Sequence, residues 1–399
     1  MFESLQPLPP DPILGLNAAF KADTNPKKID LGIGVYKDAE GNTPVMRAVK
    51  EAEKLILTSQ ATKAYVGPTG SIAYNEAVAE LILGTTQKTN LRGRRITMQT
   101  PGGCGGLRIA AEFIARANSR ATIWVSDPTW ANHKPLIGSS GLKFNSYPYY
   151  DYETHSVDFD NMIATLKRVP KGDVVLLHGC CHNPSGADIK PDQWSVIRDL
   201  ALKQNFTIFI DLAYQGMGDG LEEDVIGVRL LAESLPELIV VSSCSKNFGL
   251  YRERTGAVTL ICQNEQAARA ANTLLAAAAR ANYSMPPDHG AAIVQLIRED
   301  PHLDSMWQGE LNRIRNRINS LRVTFANRLT ELVTQHDFSF IPKEKGMFSF
   351  LGVNKNQIQE LINEYAIYLV DSSRINIASI NDSNIDYVVE SIGKVISRT

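Results

Sequence analysis

Val174-Val175-Leu176-Leu177-His178-Gly179-Cys180-Cys181-His182-Asn183-Pro184-Ser185-Gly186 is the stretch on which the fold turns. Four consecutive apolar residues with no polar alternate describe a strand covered on both faces, as in a parallel sheet sandwiched by helices. Comparable short runs recur at Thr122 to Val125, Thr207 to Ile210, Leu238 to Val241 and Ala257 to Ile261, separated by longer amphipathic stretches. That alternation predicts an α/β fold with a mostly parallel sheet between helices in a large domain. On such sheets ligands bind beyond the carboxyl ends of the strands.

The residues that follow each run therefore matter most. Asn183-Pro184-Ser185-Gly186 follows Leu177; Asp211 and Tyr214 follow Ile210; Ser243, Ser245 and Lys246 follow Val241. A single lysine is usually a surface charge and a single aspartate often caps a helix, but three polar strand ends in one sheet can converge on one edge. Pro101-Gly102-Gly103-Cys104-Gly105-Gly106 precedes the amphipathic stretch Leu107 to Ala117. Glycines at a helix start let backbone amides approach an anion such as phosphate, although glycine content alone is equally the mark of a flexible turn. No GxGxxG, GxxxxGK[ST] or GxSxG occurs, which argues against dinucleotide dehydrogenases, nucleotide hydrolases and nucleophile-elbow hydrolases.

Composition narrows the rest. The 399 residues carry 41 Lys and Arg against 43 Asp and Glu, a net charge of −2 that gives no support to nucleic-acid binding. The longest apolar runs, Leu274 to Ala279 and Tyr365 to Val370, fall far short of the roughly 18–20 residues that cross a bilayer. The start of the chain lacks the basic and apolar regions of a signal peptide, and five cysteines without a regular framework suit reduced thiols, so a cytoplasmic protein is expected. His178 to His182 contains four ligand residues, two His and two Cys, but no paired Cys spacing; it reads as a buried strand end, and no metal is expected.

The domain boundaries follow from element order. Pro9, Pro10 and Pro12 predict an extended N-terminal arm over residues 1–12. Residues 13–44 are assigned to a small α+β domain, 45–305 to the large domain, and 306–399 to the small domain again. Trp307, Leu311, Ile314, Ile318, Leu321, Phe325 and Leu329 have helical spacing and predict a long helix between the two.

The run Ser243-Cys244-Ser245-Lys246-Asn247-Phe248-Gly249-Leu250-Tyr251-Arg252-Glu253-Arg254, with Cys181 to Gly186 and Asp211 to Gly216 upstream in that order, resembles the class I aminotransferases. More narrowly it resembles the aspartate and aromatic amino acid aminotransferases, of pyridoxal-phosphate fold type I. The resemblance runs from Asp11 to about Ala378 and implies a homodimer with shared active sites. It implies amino-group transfer from L-aspartate or aromatic L-amino acids to 2-oxoglutarate, through the pyridoxamine form of pyridoxal 5′-phosphate. Lys246 would bond to the cofactor aldehyde and shuttle the substrate α-proton, and Asp211 would pair with the ring nitrogen, oriented by His133. Asn183 and Tyr214 would bond the phenolic oxygen, and Trp130 would stack on the ring. Gly103, Cys104, Ser243, Ser245 and Arg254 would hold the phosphate, with Tyr65 reaching in from the second subunit. Arg374 would bind the substrate α-carboxylate, Gly34, Trp130 and Asn183 would line its site, and Arg280 of the partner subunit would take a distal carboxylate.

Some positions depart from the family pattern. Cys104 stands where a hydroxyl residue is expected, and Ala64 and Met285 replace polar residues of a strict aspartate enzyme, whereas Val35, Lys37 and Thr43 are aspartate-like. This mixture predicts broad donor specificity. Two other readings stay open at this point: β-decarboxylase or lyase chemistry on the same cofactor, and a catalytically silent cofactor-binding protein.

Overall fold

The computed structural model of the chain describes residues 2–7 and 12–398. They form two compact units: residues 44–183 with 187–317, and the two chain ends, up to Thr43 and from Ile318 onward, with residues 184–186.

The larger unit is built on a seven-stranded sheet: β1 (Arg95–Pro101), β2 (Thr122–Asp127), β3 (Lys143–Pro148), β4 (Val174–His178), β5 (Thr207–Leu212), β6 (Leu238–Ser243) and β7 (Thr255–Ile261). Their spatial order is β1-β7-β6-β5-β4-β2-β3. Pairing is parallel throughout except for β7, which runs antiparallel to both β1 and β6. The unalternating runs are covered on both faces as expected. Every residue of β4, β6 and β7 is buried. Each such Val, Leu or Ile contributes about 1.5–3 kcal/mol relative to an exposed one. β3 is one of the two edge strands and keeps most of its side chains partly or fully exposed.

Helix α1 (Gly102–Ala117) starts directly after β1 and packs Leu107, Ile109, Ala110, Ala111 and Ile114 into a cluster with Val241 and Val258. Register places the chemistry. His178 is level with Asp211, and Asp211 with Val241, so the carboxyl ends of β4, β5 and β6 terminate side by side. Thr255 pairs with Pro101, which sets Arg254 beside the start of α1.

The smaller unit holds two short strand pairs. Ile29–Asp30 runs parallel to Ile367–Tyr368, and Phe348–Phe350 antiparallel to Arg374–Asn376, with helices Pro12–Ala22, Lys355–Tyr365 and Ile385–Ser397 around them. Buried Arg322 ties this unit together, its guanidinium donating to the carbonyls of Ile341, Lys345, Gly346 and Phe348 beside Glu344.

Three expectations about the chain ends need adjusting. The arm's Pro9 and Pro10 lie outside the described residues; Phe2–Ser4 forms one 3-10 turn and Pro12 opens a helix, where its missing N–H costs nothing. The long helix spans Pro301–Leu332, and the units divide inside it between Arg317 and Ile318 instead of before residue 306. A continuous heptad-like stripe cannot reveal where its packing partners change. Residues 184–186 group with the small unit, because Gly186 pairs with Lys345 and its missing Cβ would lie 2.5 Å from the Phe348 carbonyl. Among the described residues no helix is long and apolar enough to cross a membrane.

Candidate active site

Lys246 sits in the turn after β6, closed by a Gly249 N–H to Lys246 carbonyl bond of 3.0 Å. The turn is braced from the long helix: Trp307 Nε1 donates to the Asn247 carbonyl at 2.8 Å and its ring stacks on Phe248 at 4.3 Å. Lys246 Nζ lies 4.7 Å from the centre of the buried Tyr214 ring. Burial lowers the pKa of the amine, with Arg254 adding to the effect and Asp211 opposing it. A lysine that gives up its proton easily can act as nucleophile and base.

At the end of β5, Asp211 accepts a 3.0 Å bond from His133 Nε2. Burial alone would raise this carboxyl, but the His133 bond and the positive charge of Lys246 outweigh it and hold Asp211 below the ordinary carboxylate range. His133 Nδ1 meets Thr129 Oγ1 at 2.8 Å, and Thr129 Oγ1 meets His178 Nε2 at 3.4 Å. His178 Nδ1 accepts from the Asn183 N–H at 3.3 Å. Burial pulls His178 down to about 3 and His182 well below its usual value, so both rings are neutral at ordinary pH. Trp130 is half-buried with its ring edge-on to His133 at 5.3 Å.

The third component is the start of α1. Pro101, which precedes it, makes no side-chain cap bond to its first turn. Gly102 has φ 67°, and a Cβ there would come 2.5 Å from Arg254 Nη2, so only glycine leaves the guanidinium beside the helix terminus. Arg254 Nη1 donates to the Tyr251 carbonyl at 3.0 Å and to Ser245 Oγ at 3.4 Å; Ser243 Oγ accepts from the Ser245 N–H at 3.2 Å. Cys104 is the one partly exposed cysteine of the five; burial raises its pKa, and Arg254 and Lys246 pull it back. Helix dipole, amides, hydroxyls and guanidinium together make an anion cradle suited to a phosphate ester.

Two expected residues are surface groups in the isolated chain. Tyr65 is 91 % exposed, and Arg280 lies exposed at the end of helix Glu265–Asn282, hydrogen-bonded to Ser284 Oγ. In the smaller unit, buried Arg374 donates to the Gly32 carbonyl at 2.7 Å and lies over the Phe348 ring at 4.2 Å. A Cβ on Gly34 would stand 2.9 Å from that ring, so the chain passes it only as glycine.

Sequence reasoning missed Thr129, His178, His182 and Trp307. The histidine pair at 178 and 182, straddling two cysteines after an apolar strand, was the available signal. Cys180, Cys181 and Asp224 have ligand atoms within 4.8 Å of one another. The Asp224 carboxylate is already taken by the N–H groups of Gly216, Gly218, Asp219 and Gly220.

A proton-releasing amine, an ionised carboxylate and an anion cradle, all at adjoining strand ends, make a site that can hold a phosphate ester beside a nucleophilic amine. Residues 26–392 match the family model of class I and II aminotransferases. The chain is 46% identical to an aspartate aminotransferase of Haemophilus influenzae over 396 residues, covering 99% of this chain and 100% of the relative. It is 45% identical to an aromatic-amino-acid aminotransferase of Paracoccus denitrificans over 395 residues, again 99% and 100%. The crystal structure of the Burkholderia pseudomallei aromatic-amino-acid aminotransferase, covalently bound to pyridoxal phosphate, superposes with a TM-score of 0.96 at 40% identity, covering 99% of both chains. The chain belongs to the class I and II aminotransferase family. It is an enzyme of amino-group transfer that uses pyridoxal phosphate, and the uncapped helix start, Arg254, Asp211 and Lys246 fit that group.

Proposed function

We propose that this aminotransferase moves the α-amino group of L-aspartate and the aromatic L-amino acids to 2-oxoglutarate in two half-reactions, as a cytoplasmic homodimer with shared sites. The observation that carries the reading is the buried Lys246–Asp211–His133 set at the ends of neighbouring strands. When bound, pyridoxal phosphate supplies an aldehyde and an electron sink for the charge that develops at the substrate α-carbon. Lys246 Nζ holds the cofactor through that aldehyde, then accepts the α-proton and returns it. Asp211, oriented by His133, keeps the ring nitrogen protonated. Asn183 and Tyr214 hold the phenolic oxygen, Trp130 covers one ring face, and Gly103, Cys104, Ser243, Ser245 and Arg254 hold the phosphate.

Arg374 takes the substrate α-carboxylate beside Gly34, and Arg280 of a second copy takes a distal carboxylate, each charge-assisted bond contributing about 1.5–3 kcal/mol. Tyr65 of that copy completes the phosphate site. Its near-complete exposure, and the exposed position of Arg280, support a role across an interface. Relatives named for aspartate and for aromatic donors at almost equal identity support the broad donor range. Five cysteines that form no disulfide support a reducing, cytoplasmic setting.

The test is a donor panel with 2-oxoglutarate on the native chain and on Arg280→Ala. Both donor classes react with the native enzyme, and the substitution lowers kcat/KM for aspartate far more than kcat/KM for phenylalanine. An aromatic rate below about a thousandth of the aspartate rate, a barrier gap of about 4 kcal/mol, removes the aromatic half of the proposal.

A further inference from the structure

We propose that Asp188 is the positioning residue that sets Asn183, and through it the protonation equilibrium of the bound cofactor. This rests on the reading that Asn183 faces the phenolic oxygen of the ring.

The chain leaves β4 at His178 and presents Asn183 only five residues later. The turn runs through Cys181 at φ 49°, a left-handed conformation without the freedom of glycine. One carboxylate holds it there: Asp188 Oδ2 accepts from the Cys181 N–H at 2.7 Å and Oδ1 from the His182 N–H at 2.8 Å. Two successive amides aimed at one anion need both of its oxygens. An asparagine of the same shape has one acceptor oxygen, and its amino group would meet the second N–H donor to donor.

The surroundings brace both ends of this clamp. His182 Nε2 is bonded to Ser126 Oγ at 3.0 Å, and its ring stacks on Tyr149 at 3.9 Å. Tyr149 Oη donates to the carbonyl of Ala187, the residue before Asp188, at 2.8 Å. Beyond the turn, the Asn183 N–H donates to His178 Nδ1. Asn183 therefore has its backbone fixed from His178 on one side and from Asp188 on the other. The charge is maintained against opposition: burial pushes the Asp188 carboxyl up to about 6, the two clamped amides pull it down, and Asp224 and Asp219 repel it. A neutral side chain would avoid that repulsion, so the second acceptor oxygen is what the carboxylate provides. The turn also seals Cys180 and Cys181, which are 6 % and 2 % exposed.

The test uses Asp188→Asn, Asn183→Ala and the double variant, with two readouts that do not depend on turnover. The first is the midpoint of the pH titration of the holoenzyme's visible absorbance. A donor to the phenolic oxygen stabilises negative charge there, so removing it raises the midpoint, by about 0.5 unit or more in Asn183→Ala. Asp188→Asn raises it by at least half as much, and the double variant shifts no further than Asn183→Ala alone. The second is labelling of Cys181 by a thiol reagent in the cofactor-free protein, read by peptide mass; Asp188→Asn accelerates it about tenfold or more as the turn opens. A midpoint that moves in Asn183→Ala but not in Asp188→Asn, additive shifts in the double variant, or unchanged labelling overturns the proposal. A midpoint unmoved by Asn183→Ala overturns instead the reading of Asn183 on which it rests. If Asp188→Asn does not fold, Asp188→Glu, which keeps the charge but displaces both oxygens, is read against the same thresholds.

Discussion

Replacing His178 by glutamine should flatten the acid side of the stability profile. In the fold His178 Nδ1 accepts the Asn183 N–H and the ring is buried, so a second ring proton would point donor to donor. Its pKa falls from 6.5 to about 3. A depressed pKa means the neutral ring favours folding: the stabilisation is complete above 6.5 and is lost as pH falls toward 3, while the unfolded chain takes up the proton alone. Between pH 7.5 and 4.5 this one group removes about 2.7 kcal/mol of stability. His182 acts in the same direction, and Asp188, whose raised pKa favours its protonated form in the fold, acts in the opposite one. The parent's absolute profile therefore mixes all three, and the difference between parent and His178→Gln isolates the first. Glutamine keeps an acceptor and a donor at this position but does not titrate. Urea unfolding of the cofactor-free chain, at fixed protein concentration and followed by tryptophan fluorescence, is run at pH 7.5, 6.5, 5.5 and 4.5. The drop in unfolding free energy from 7.5 to 4.5 should be about 2.7 kcal/mol smaller in the variant. Parallel profiles, equal to within about 0.5 kcal/mol across the series, would refute the account of a buried neutral ring.

Cys104→Ser should tighten pyridoxal phosphate binding to the cofactor-free protein by about 0.5–1.5 kcal/mol, or roughly 2–12-fold in Kd, because a hydroxyl is the better donor to phosphate. Equal or weaker binding by equilibrium titration would show that the thiol does not face the phosphate. Trp307→Phe keeps a ring against Phe248 but leaves the buried Asn247 carbonyl without its indole donor. It should cost about 1–3 kcal/mol of stability in urea unfolding, and a loss under about 0.3 kcal/mol would show that the turn is held otherwise.

The sheet was legible because β4 to β7 are covered on both faces, and two-sided burial removes polar residues from a strand. The site was legible where its groups follow those strands directly, as Asp211 and Lys246 do, since sequence position then fixes position on the sheet edge. It was not legible where one side chain reaches another across the fold. Trp307 reads from its spacing as a core residue, and nothing in the periodicity says that its N–H is spent on the Asn247 carbonyl 60 residues away. His178 and His182 likewise read as strand-end residues, because their partners Thr129, Ser126 and Tyr149 arrive from β2, the segment after it and the segment after β3. The unit boundary inside the helix Pro301–Leu332 was hidden for a related reason: a stripe of apolar residues says that a face is buried, not against what.

The placement of these histidines has a consequence for Asp211. A carboxylate this deep beside several basic side chains could be neutralised by any of them, and it would then be unavailable to a protonated ring nitrogen. Burial drives His178 and His182 to their neutral forms, so they add hydrogen-bonding partners without adding charge. His133 spends its Nε2 on the carboxylate and its Nδ1 on Thr129, which fixes the direction of the bond to Asp211. Lys246, whose charge is coupled to Asp211, is itself driven toward its neutral form by burial. The strand ends thus hold an ionised acid near His178, His182 and Lys246, which burial turns against carrying charge. The acid sensitivity expected of His178 is the energetic counterpart of that arrangement, because a ring that burial keeps neutral in the fold, against the pull of Asp211, is a ring that the unfolded chain protonates first.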